Sequence, residues 1–195
     1  MRKLLLLPLF GLFSLAHFSF GVPAFAQAES VTTVATAQKE SPWAIMFPEG
    51  LLAKAHQKSE DAKREVVKKL DGKFVGIYHS ASWCGFCHFF TPQLIAFYKK
   101  NKKDFEVVFV SGDKSEKQRR AYAKSSKMPW LAAPFGKENG APGAGGYPCL
   151  HVLTPEGKIL TTISGANRKE SKDSRLHVDL RRKMDDWKKG AAAKE

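Results

Sequence analysis

The chain has 195 residues, with 32 basic and 19 acidic side chains and a formal charge of +13. This length suits one domain with a core of its own, and three cysteines are too few for a small scaffold held together by disulfides. The basic residues stand in scattered pairs, which indicates a solvated surface and argues against nucleic acid as a partner.

The N-terminus has the layout of an export signal. Two basic residues precede an apolar run over residues 4–20. The small residues Ala24 and Ala26 offer a cleavage site, and Ala26 and Ala28 offer a second candidate. Polar residues and a proline interrupt the run, so it makes a poor permanent anchor, and no second run of membrane length follows. We expect residues 1–26 to be a cleaved signal peptide, which makes the mature protein periplasmic or secreted, without a stable membrane span.

Beyond the signal, the sequence predicts a flexible leader over residues 27–49, a folded domain over 50–190 and a short tail over 191–195. Within the leader, residues 43–47 form an apolar cluster between two prolines, and we interpret this cluster as a segment that docks on the domain. Apolar residues at helical spacing then predict an amphipathic helix over residues 50–70.

The rest of the chain alternates between strand-like and helix-like segments. In chain order we predict a strand over 74–79, a helix over 84–100, a strand over 105–110, a helix over 114–124, a glycine-rich loop over 136–146, a hairpin over 149–163 and a helix around 176–187. Asp113 and Glu116 have capping-box spacing at the start of the second of these helices. With the N-terminal helix, this order predicts the α/β class, with a mixed sheet flanked by helices.

The most informative motif is Cys84-Gly85-Phe86-Cys87-His88, placed where a predicted strand leads into a helix. Two cysteines at this spacing can close into a reversible disulfide, but C-x-x-C-H is also the attachment signature of c-type haem. In the first case, the positive end of the helix stabilises the Cys84 thiolate, so Cys84 attacks and Cys87 resolves the mixed disulfide. In the second case, His88 is the proximal haem ligand.

The pair Tyr147-Pro148 favours thiol chemistry. An X-Pro bond at the start of a strand, after a glycine-rich loop, is a candidate cis peptide bond. Beside the cysteines, it leaves the backbone of Tyr147 able to pair with an extended substrate. Haem attachment has no use for this arrangement, and the strand before the motif and Pro92 behind it fit a haem pocket poorly.

Several cysteines and histidines have more than one interpretation. Cys149 is a small buried strand residue or a third redox thiol, and His88 is a partly exposed helix residue or a cation that lowers the pKa of the attacking thiol. Cys149 and His151 share a strand face and could join the pair in a zinc site. A purely structural disulfide between Cys84 and Cys87 closes too short a loop to constrain much of the chain. We expect no metal and no cofactor beyond the redox-active disulfide.

The residues around the motif resemble the thioredoxin superfamily, and in particular its tryparedoxin and nucleoredoxin branch. The resemblance covers residues 66–163, and the matching segments are 73–94, 105–111, 128–135, 147–148 and 155–158. It implies a thioredoxin-like fold, with Cys84 and Cys87 as the redox pair and Pro148 as the cis-proline.

The chain departs from that branch at several positions. Gly85 and Phe86 replace two prolines between the cysteines, so the redox potential does not carry over. Gly112 replaces a tryptophan, and Tyr78 stands where typical thioredoxins bury a carboxylate. The loop over 136–146 replaces the helix that precedes the cis-proline.

The function predicted from these residues is an exported thiol–disulfide oxidoreductase that acts on protein dithiols or disulfides and exchanges electrons with an upstream redox partner. Substrate contacts are expected from Trp83, Gly85, Phe86, Tyr147 and Pro148. The alternative is a thioredoxin-fold protein that binds a partner, or carries covalent haem, without turnover. The sequence leaves the direction of electron flow open.

Overall fold

The computed structural model describes residues 40–137, 140–164 and 175–192. The predicted signal peptide, most of the predicted leader and the end of the predicted tail lie outside these residues. Within the described ranges, no helix has both the length and the apolar character needed to cross a bilayer.

A five-stranded mixed sheet lies at the centre of the described residues. Its strands are β1 (Phe74–Ser80), β2 (Phe105–Ser111), β3 (Leu131–Ala132), β4 (Cys149–Leu153) and β5 (Ile159–Ser164), in the spatial order β3-β2-β1-β4-β5. β2 runs parallel to β1 and β3, whereas β4 is antiparallel to β1 and β5. This arrangement confirms the predicted α/β class and the hairpin that ends the sheet.

The helices of the described residues are α1 (Pro42–Met46), α2 (Arg64–Val67), α3 (Gly85–Asn101), α4 (Glu116–Ser125) and α5 (Arg175–Ala192). Short 3₁₀ turns at Ser59–Asp61 and Lys68–Leu70 lie on either side of α2. The predicted helices over 84–100 and 114–124 are confirmed to within two residues at each end. Leu180 and Met184 of the last helix are buried, as its apolar stripe predicted.

The core forms around β1. All seven of its residues are buried, and its side chains alternate between the two faces of the sheet. Phe74 and Tyr78 pack into a hydrophobic cluster that includes residues of α3, α4 and α5, whereas Val75 and Ile77 pack into a second cluster with residues of α1 and α2. Burial on both faces is what the continuous apolar run of this strand predicted.

The predicted amphipathic helix over residues 50–70 is wrong. Leu51 and Leu52 lie in extended backbone and form β-bridges to Lys63 and Ala132, and helical structure is limited to α2 and the two 3₁₀ turns. Extended backbone points consecutive side chains to opposite sides. Leu51 and Leu52 are therefore both fully buried, each in a different cluster.

Arg119 of α4 holds part of this segment in its extended form. Its side chain is fully buried, and the guanidinium donates to the carbonyls of Ala55, at 2.7 Å, and Gln57, and pairs with Glu116 at 3.4 Å. These long-range bonds satisfy carbonyl groups that a helix would pair internally. Nothing in the local spacing of apolar residues could reveal them.

The apolar cluster before residue 50 packs on the domain. Trp43 of α1 and the neighbouring Phe47 are almost completely buried, and they share a cluster with Leu51 and Leu70. The interpretation of this cluster as a docking segment is confirmed. The packed part of the chain therefore begins before residue 50.

Candidate active site

Three segments of the chain meet at one edge of the sheet. β1 and β2 are parallel, with Ser80 aligned to Ser111, so the residues that follow both strands leave the sheet at the same edge. β4 is antiparallel to β1, with Cys149 aligned to His79, so the residues that precede β4 arrive at that edge. The cysteine motif, the turn after β2 and the X-Pro pair before β4 therefore lie together.

Cys84 and Cys87 form a disulfide at the start of α3. Cys84 is the N-cap residue, and its sulfur accepts the backbone N–H of Cys87 at 3.1 Å. Cys87 is fully buried, whereas Cys84 keeps 6% of its surface exposed, so Cys84 is the less buried member of the pair. The N–H groups and the dipole at this helix end favour negative charge on its sulfur once the bond is reduced.

Trp83 joins the motif to the other two segments. Its indole N–H donates to the carbonyl of Gly112 at 3.0 Å, and its ring meets that of Tyr147 edge to face, with 5.3 Å between the centroids. A Cβ atom at position 112 would lie 2.3 Å from the Tyr147 ring. The structure thus brings Trp83 and Tyr147 together and explains why residue 112 is glycine.

The other predicted contact residues also lie at this edge. The peptide bond between Tyr147 and Pro148 is cis, as predicted, and Pro148 is buried just before β4. Gly85 and Phe86 occupy the first turn of α3, and both are exposed. The five residues from which substrate contacts were expected therefore lie at the same edge of the sheet as the disulfide.

Asp113 belongs to the site, although the sequence analysis assigned it to a helix cap. Ser115 caps α4 instead, so the predicted capping role of Asp113 is wrong. Its buried carboxylate accepts the backbone N–H and the hydroxyl of Ser82, at 2.8 and 2.6 Å, and the hydroxyl of Ser111 at 2.8 Å. Asp113 therefore fixes the loop before the cysteine motif. The sequence held one signal for this contact: Ser82 follows the first predicted strand and Asp113 follows the second, and residues that follow neighbouring parallel strands lie close together.

His88 supports the same loop from α3. The imidazole is exposed, its Nε2–H donates to the carbonyl of Ser82 at 2.8 Å, and its ring packs against Tyr122 with 5.2 Å between the centroids. This placement agrees with the interpretation of His88 as an exposed helix residue. Modulation of the Cys84 thiol by His88 stays a prediction.

Comparison with known proteins agrees with this geometry. A thioredoxin-like family matches residues 72–159. Nucleoredoxin from Xenopus laevis is 34% identical over 160 residues, which cover 70% of this chain and 37% of that protein. Tryparedoxin from Trypanosoma brucei superimposes with a TM-score of 0.53 at 33% identity, over 68% of this chain and 92% of that one. A tryparedoxin II complexed with glutathionylspermidine superimposes with a TM-score of 0.51 at 34% identity, over 69% of this chain and 94% of that one.

The chain belongs to the thioredoxin superfamily, in its nucleoredoxin and tryparedoxin branch. It spans 37% of the Xenopus nucleoredoxin and 23% of the mouse protein, which it matches at 42% identity over 101 residues.

Behind the disulfide, this thioredoxin-like site has hydroxyl groups where a carboxylate is usual. The hydroxyls of Tyr78 and Tyr122 lie 2.8 and 3.1 Å from that of Thr91, which donates to the carbonyl of Cys87 at 2.8 Å. The hydroxyl of Ser80 lies 3.0 Å from that of Tyr122. Burial, with a contribution from the neighbouring Tyr122, raises the pKa of Tyr78. Its side chain is therefore neutral at physiological pH and places no negative charge beside Cys87.

Cys149 is buried beside two histidines. Its sulfur lies 3.4 Å from Nε2 of His151, and burial raises the pKa of its thiol, which favours the less reactive protonated form. Nε2 of His79 and of His151 face the carbonyls of Pro142, at 2.7 Å, and Gly143, at 3.2 Å. This environment agrees with a small buried strand residue. Over the described residues, no three His, Cys, Asp or Glu side chains are arranged to hold a metal ion.

Three exposed aromatic side chains lie close to the disulfide in sequence, and we call Trp83, Phe86 and Phe89 the aromatic rim. These side chains are 59%, 53% and 75% exposed. Phe86 and Phe89 are three residues apart and so share a face of α3. Among the described residues, only Ile45 and Ile159 are comparably large and exposed apolar side chains. Exposed apolar side chains this close together in sequence make the start of α3 a candidate binding surface, and the sequence analysis did not single out Phe89.

Replacing Gly112 by Ala should destabilise the oxidised protein by about 1–3 kcal/mol, because the new methyl group collides with the ring of Tyr147 and overpacking has costs of this order. In a Tyr147→Ala background the ring is gone, and the same Gly112→Ala change should cost less than about 0.5 kcal/mol. Urea unfolding of the four proteins measures these free energies. Equal costs in both backgrounds would contradict the contact.

Proposed function

We propose that this protein is a thiol–disulfide oxidoreductase that exchanges its Cys84–Cys87 disulfide with the dithiols and disulfides of protein substrates. The observation that carries the proposal is the disulfide at the N-terminus of α3, in which Cys84 is partly exposed at its surface and Cys87 is fully buried. Membership of a thioredoxin-like family supports the same chemistry.

The proposed exchange proceeds in two steps. In the reduced protein, the Cys84 thiolate attacks one sulfur of a substrate disulfide, which forms a mixed disulfide and releases one substrate thiolate. The Cys87 thiolate then attacks the Cys84 sulfur, which breaks the mixed disulfide, releases the second substrate thiolate and restores the Cys84–Cys87 bond. Two electrons pass to the substrate, and the released thiolates take protons from water. The reverse sequence oxidises a substrate dithiol, and the redox partner sets the direction.

The aromatic rim supports a protein segment as the substrate in preference to a small thiol. A mixed disulfide holds the substrate chain at bonding distance from Cys84, so the residues that flank the substrate cysteine come close to Trp83 and Phe86, and a longer segment extends along α3 to Phe89. Apolar side chains of a polypeptide can cover these rings, and each contact removes apolar surface from water. A small polar thiol covers little of the rim.

We also propose that the protein acts outside the cytosol. The support is the N-terminal pattern of two basic residues, an apolar run and small residues near Ala26. Compartments outside the cytosol allow disulfides to persist, so a redox pair has substrates there.

Replacing Cys84 by Ser should abolish the dithiothreitol-dependent reduction of insulin, because the attacking sulfur is lost. Cys87→Ser keeps the attack but lacks the resolving sulfur, so it should accumulate a covalent adduct with insulin that non-reducing electrophoresis detects. Cys149→Ala is the control and should stay within about twofold of the wild-type rate, since its buried thiol takes no part in the exchange. Undiminished reduction by Cys84→Ser would refute the proposed activity.

Replacing Phe89 by Ser should raise KM for insulin about fivefold, because a half-covered phenyl ring contributes about 1 kcal/mol to binding. The rate with glutathione disulfide should change by less than about twofold, because this small substrate leaves Phe89 uncovered. Ile45→Ser is the matched control, since Ile45 is similarly exposed but belongs to α1. Equal losses with insulin and glutathione disulfide would rule out recognition of a polypeptide by the rim.

Protein recovered from the envelope of an expressing bacterium should start at residue 27 or 29, because cleavage is expected after Ala26 or Ala28. Intact mass spectrometry of the purified chain reads the N-terminus directly. Replacing Ala24 and Ala26 by Leu removes the small residues that cleavage at the first site needs, and should prevent cleavage there. Recovery of an uncleaved wild-type chain from the cytosol would overturn the proposal.

A further inference from the structure

A basic groove runs along α4, on the opposite side of the helix from Tyr122. It is lined by His56, Lys117, Arg120, Ala121 and Lys124, and its volume is about 360 Å³. At 100° per residue, positions 117, 120 and 124 fall on the helix face opposite to position 122, whose side chain points towards the hydroxyl cluster behind the disulfide. The groove is therefore separate from the candidate active site.

The positive charge of this groove is not neutralised from within the protein. Lys117, Arg120 and Lys124 form no ion pair with any residue in the described ranges. Nε of Arg120 donates to the carbonyl of His56 at 3.2 Å, which orients the guanidinium along the groove wall. Three cationic side chains thus line one concave surface without an acidic partner.

Two carboxylates that lie close in sequence to the groove, those of Glu116 and Glu60, are bound to other groups. Glu116 accepts the backbone N–H of Ser59 and pairs with the buried Arg119 at 3.4 Å. Glu60 pairs with Lys58 at 3.0 Å. These interactions hold both carboxylates on partners outside the groove lining, so an anion from outside the chain is the natural counter-charge.

The spacing of the cations fits an extended acidic peptide. With a rise of 1.5 Å per residue, Lys117 and Lys124 lie about 10 Å apart along the helix axis, and Arg120 and Lys124 about 6 Å apart. In an extended peptide, every second side chain lies on the same face, about 6.7 Å from the next. Acidic residues at alternate positions can therefore reach successive cations, whereas a single phosphate group can reach only part of the row.

We propose that this groove binds an extended acidic segment of a protein partner, whose alternate carboxylates pair with Lys117, Arg120 and Lys124. The other face of α4 supports the redox pair, so a partner held in the groove leaves the disulfide open for exchange. Because binding needs neither cysteine, its test is independent of the proposed redox activity.

The probe is a fluorescently labelled Glu-Gly-Glu-Gly-Glu peptide with blocked ends, and its partner for comparison is the Gln-Gly-Gln-Gly-Gln peptide. Fluorescence anisotropy at about 20 mM ionic strength should show at least about tenfold tighter binding of the glutamate peptide, and this preference should shrink at about 300 mM because salt screens exposed charges. In ¹⁵N-labelled protein, the amide shifts caused by the glutamate peptide should concentrate at residues 117–124. Equal binding of the two peptides would overturn the proposal.

The variant Lys117→Gln/Lys124→Gln should lower the affinity for the glutamate peptide about tenfold, as expected for the loss of two ion pairs. The control Lys99→Gln/Lys103→Gln removes the same charge at exposed positions near the end of α3 and should keep the wild-type affinity. Glutamine preserves helix propensity, so both variants should fold. Equal weakening in both variants, or tighter binding of a thymidine pentanucleotide to the same helix face, would refute an acidic-peptide groove.

Discussion

The burial of β1 on both of its faces is the constraint on which the rest of the structure depends. A strand whose side chains point into two hydrophobic clusters has to lie in the middle of the sheet, with neighbours on both edges. Because β2 is parallel to β1, the turn after β2 lies at the same edge of the sheet as the cysteine motif. Because β4 is antiparallel to β1, the first residues of β4 lie at that edge too. The active-site edge is thus a consequence of where one apolar strand is placed.

At that edge, different segments supply different parts of the site. The start of α3 carries the two sulfurs, and the N-cap position gives Cys84 both exposure and a favourable electrostatic environment. The turn after β2 supplies the supports: Asp113 holds the loop before the motif, and Gly112 makes room for Tyr147. The chemistry is therefore local in sequence, but the geometry that orients it comes from distant parts of the chain.

The environment behind the disulfide distinguishes this chain from thioredoxins that bury a carboxylate at the position of Tyr78. Here neutral hydroxyls fill the space and are satisfied by one another and by the carbonyl of Cys87. A buried network of this kind is fully paired and carries no charge. Between the cysteines, Gly85 and Phe86 stand where the branch usually has two prolines, and Phe86 adds exposed apolar surface there.

The sequence alone determined the features that depend on short-range chemistry or on strong periodicity. The apolar run of β1, the Cys84–Cys87 pair at a helix start, the cis bond before Pro148 and the docking of residues 43–47 are all confirmed. Each of these is visible within a few residues, because turn chemistry, helix ends and continuous apolar runs leave local signals. Together with the resemblance to a known branch, they sufficed to predict the fold class and the Cys84–Cys87 disulfide.

Only the tertiary structure decided the rest, because the deciding contacts join residues far apart in the chain. Residues 50–70 have helical spacing, yet the burial of Leu51 and Leu52 on opposite sides and the bonds from Arg119 favour extended backbone. Asp113 has capping-box spacing, yet its carboxylate accepts hydrogen bonds from the backbone N–H and the hydroxyl of Ser82. Local propensity amounts to a few tenths of a kcal/mol per residue, and the burial of one large side chain outweighs it.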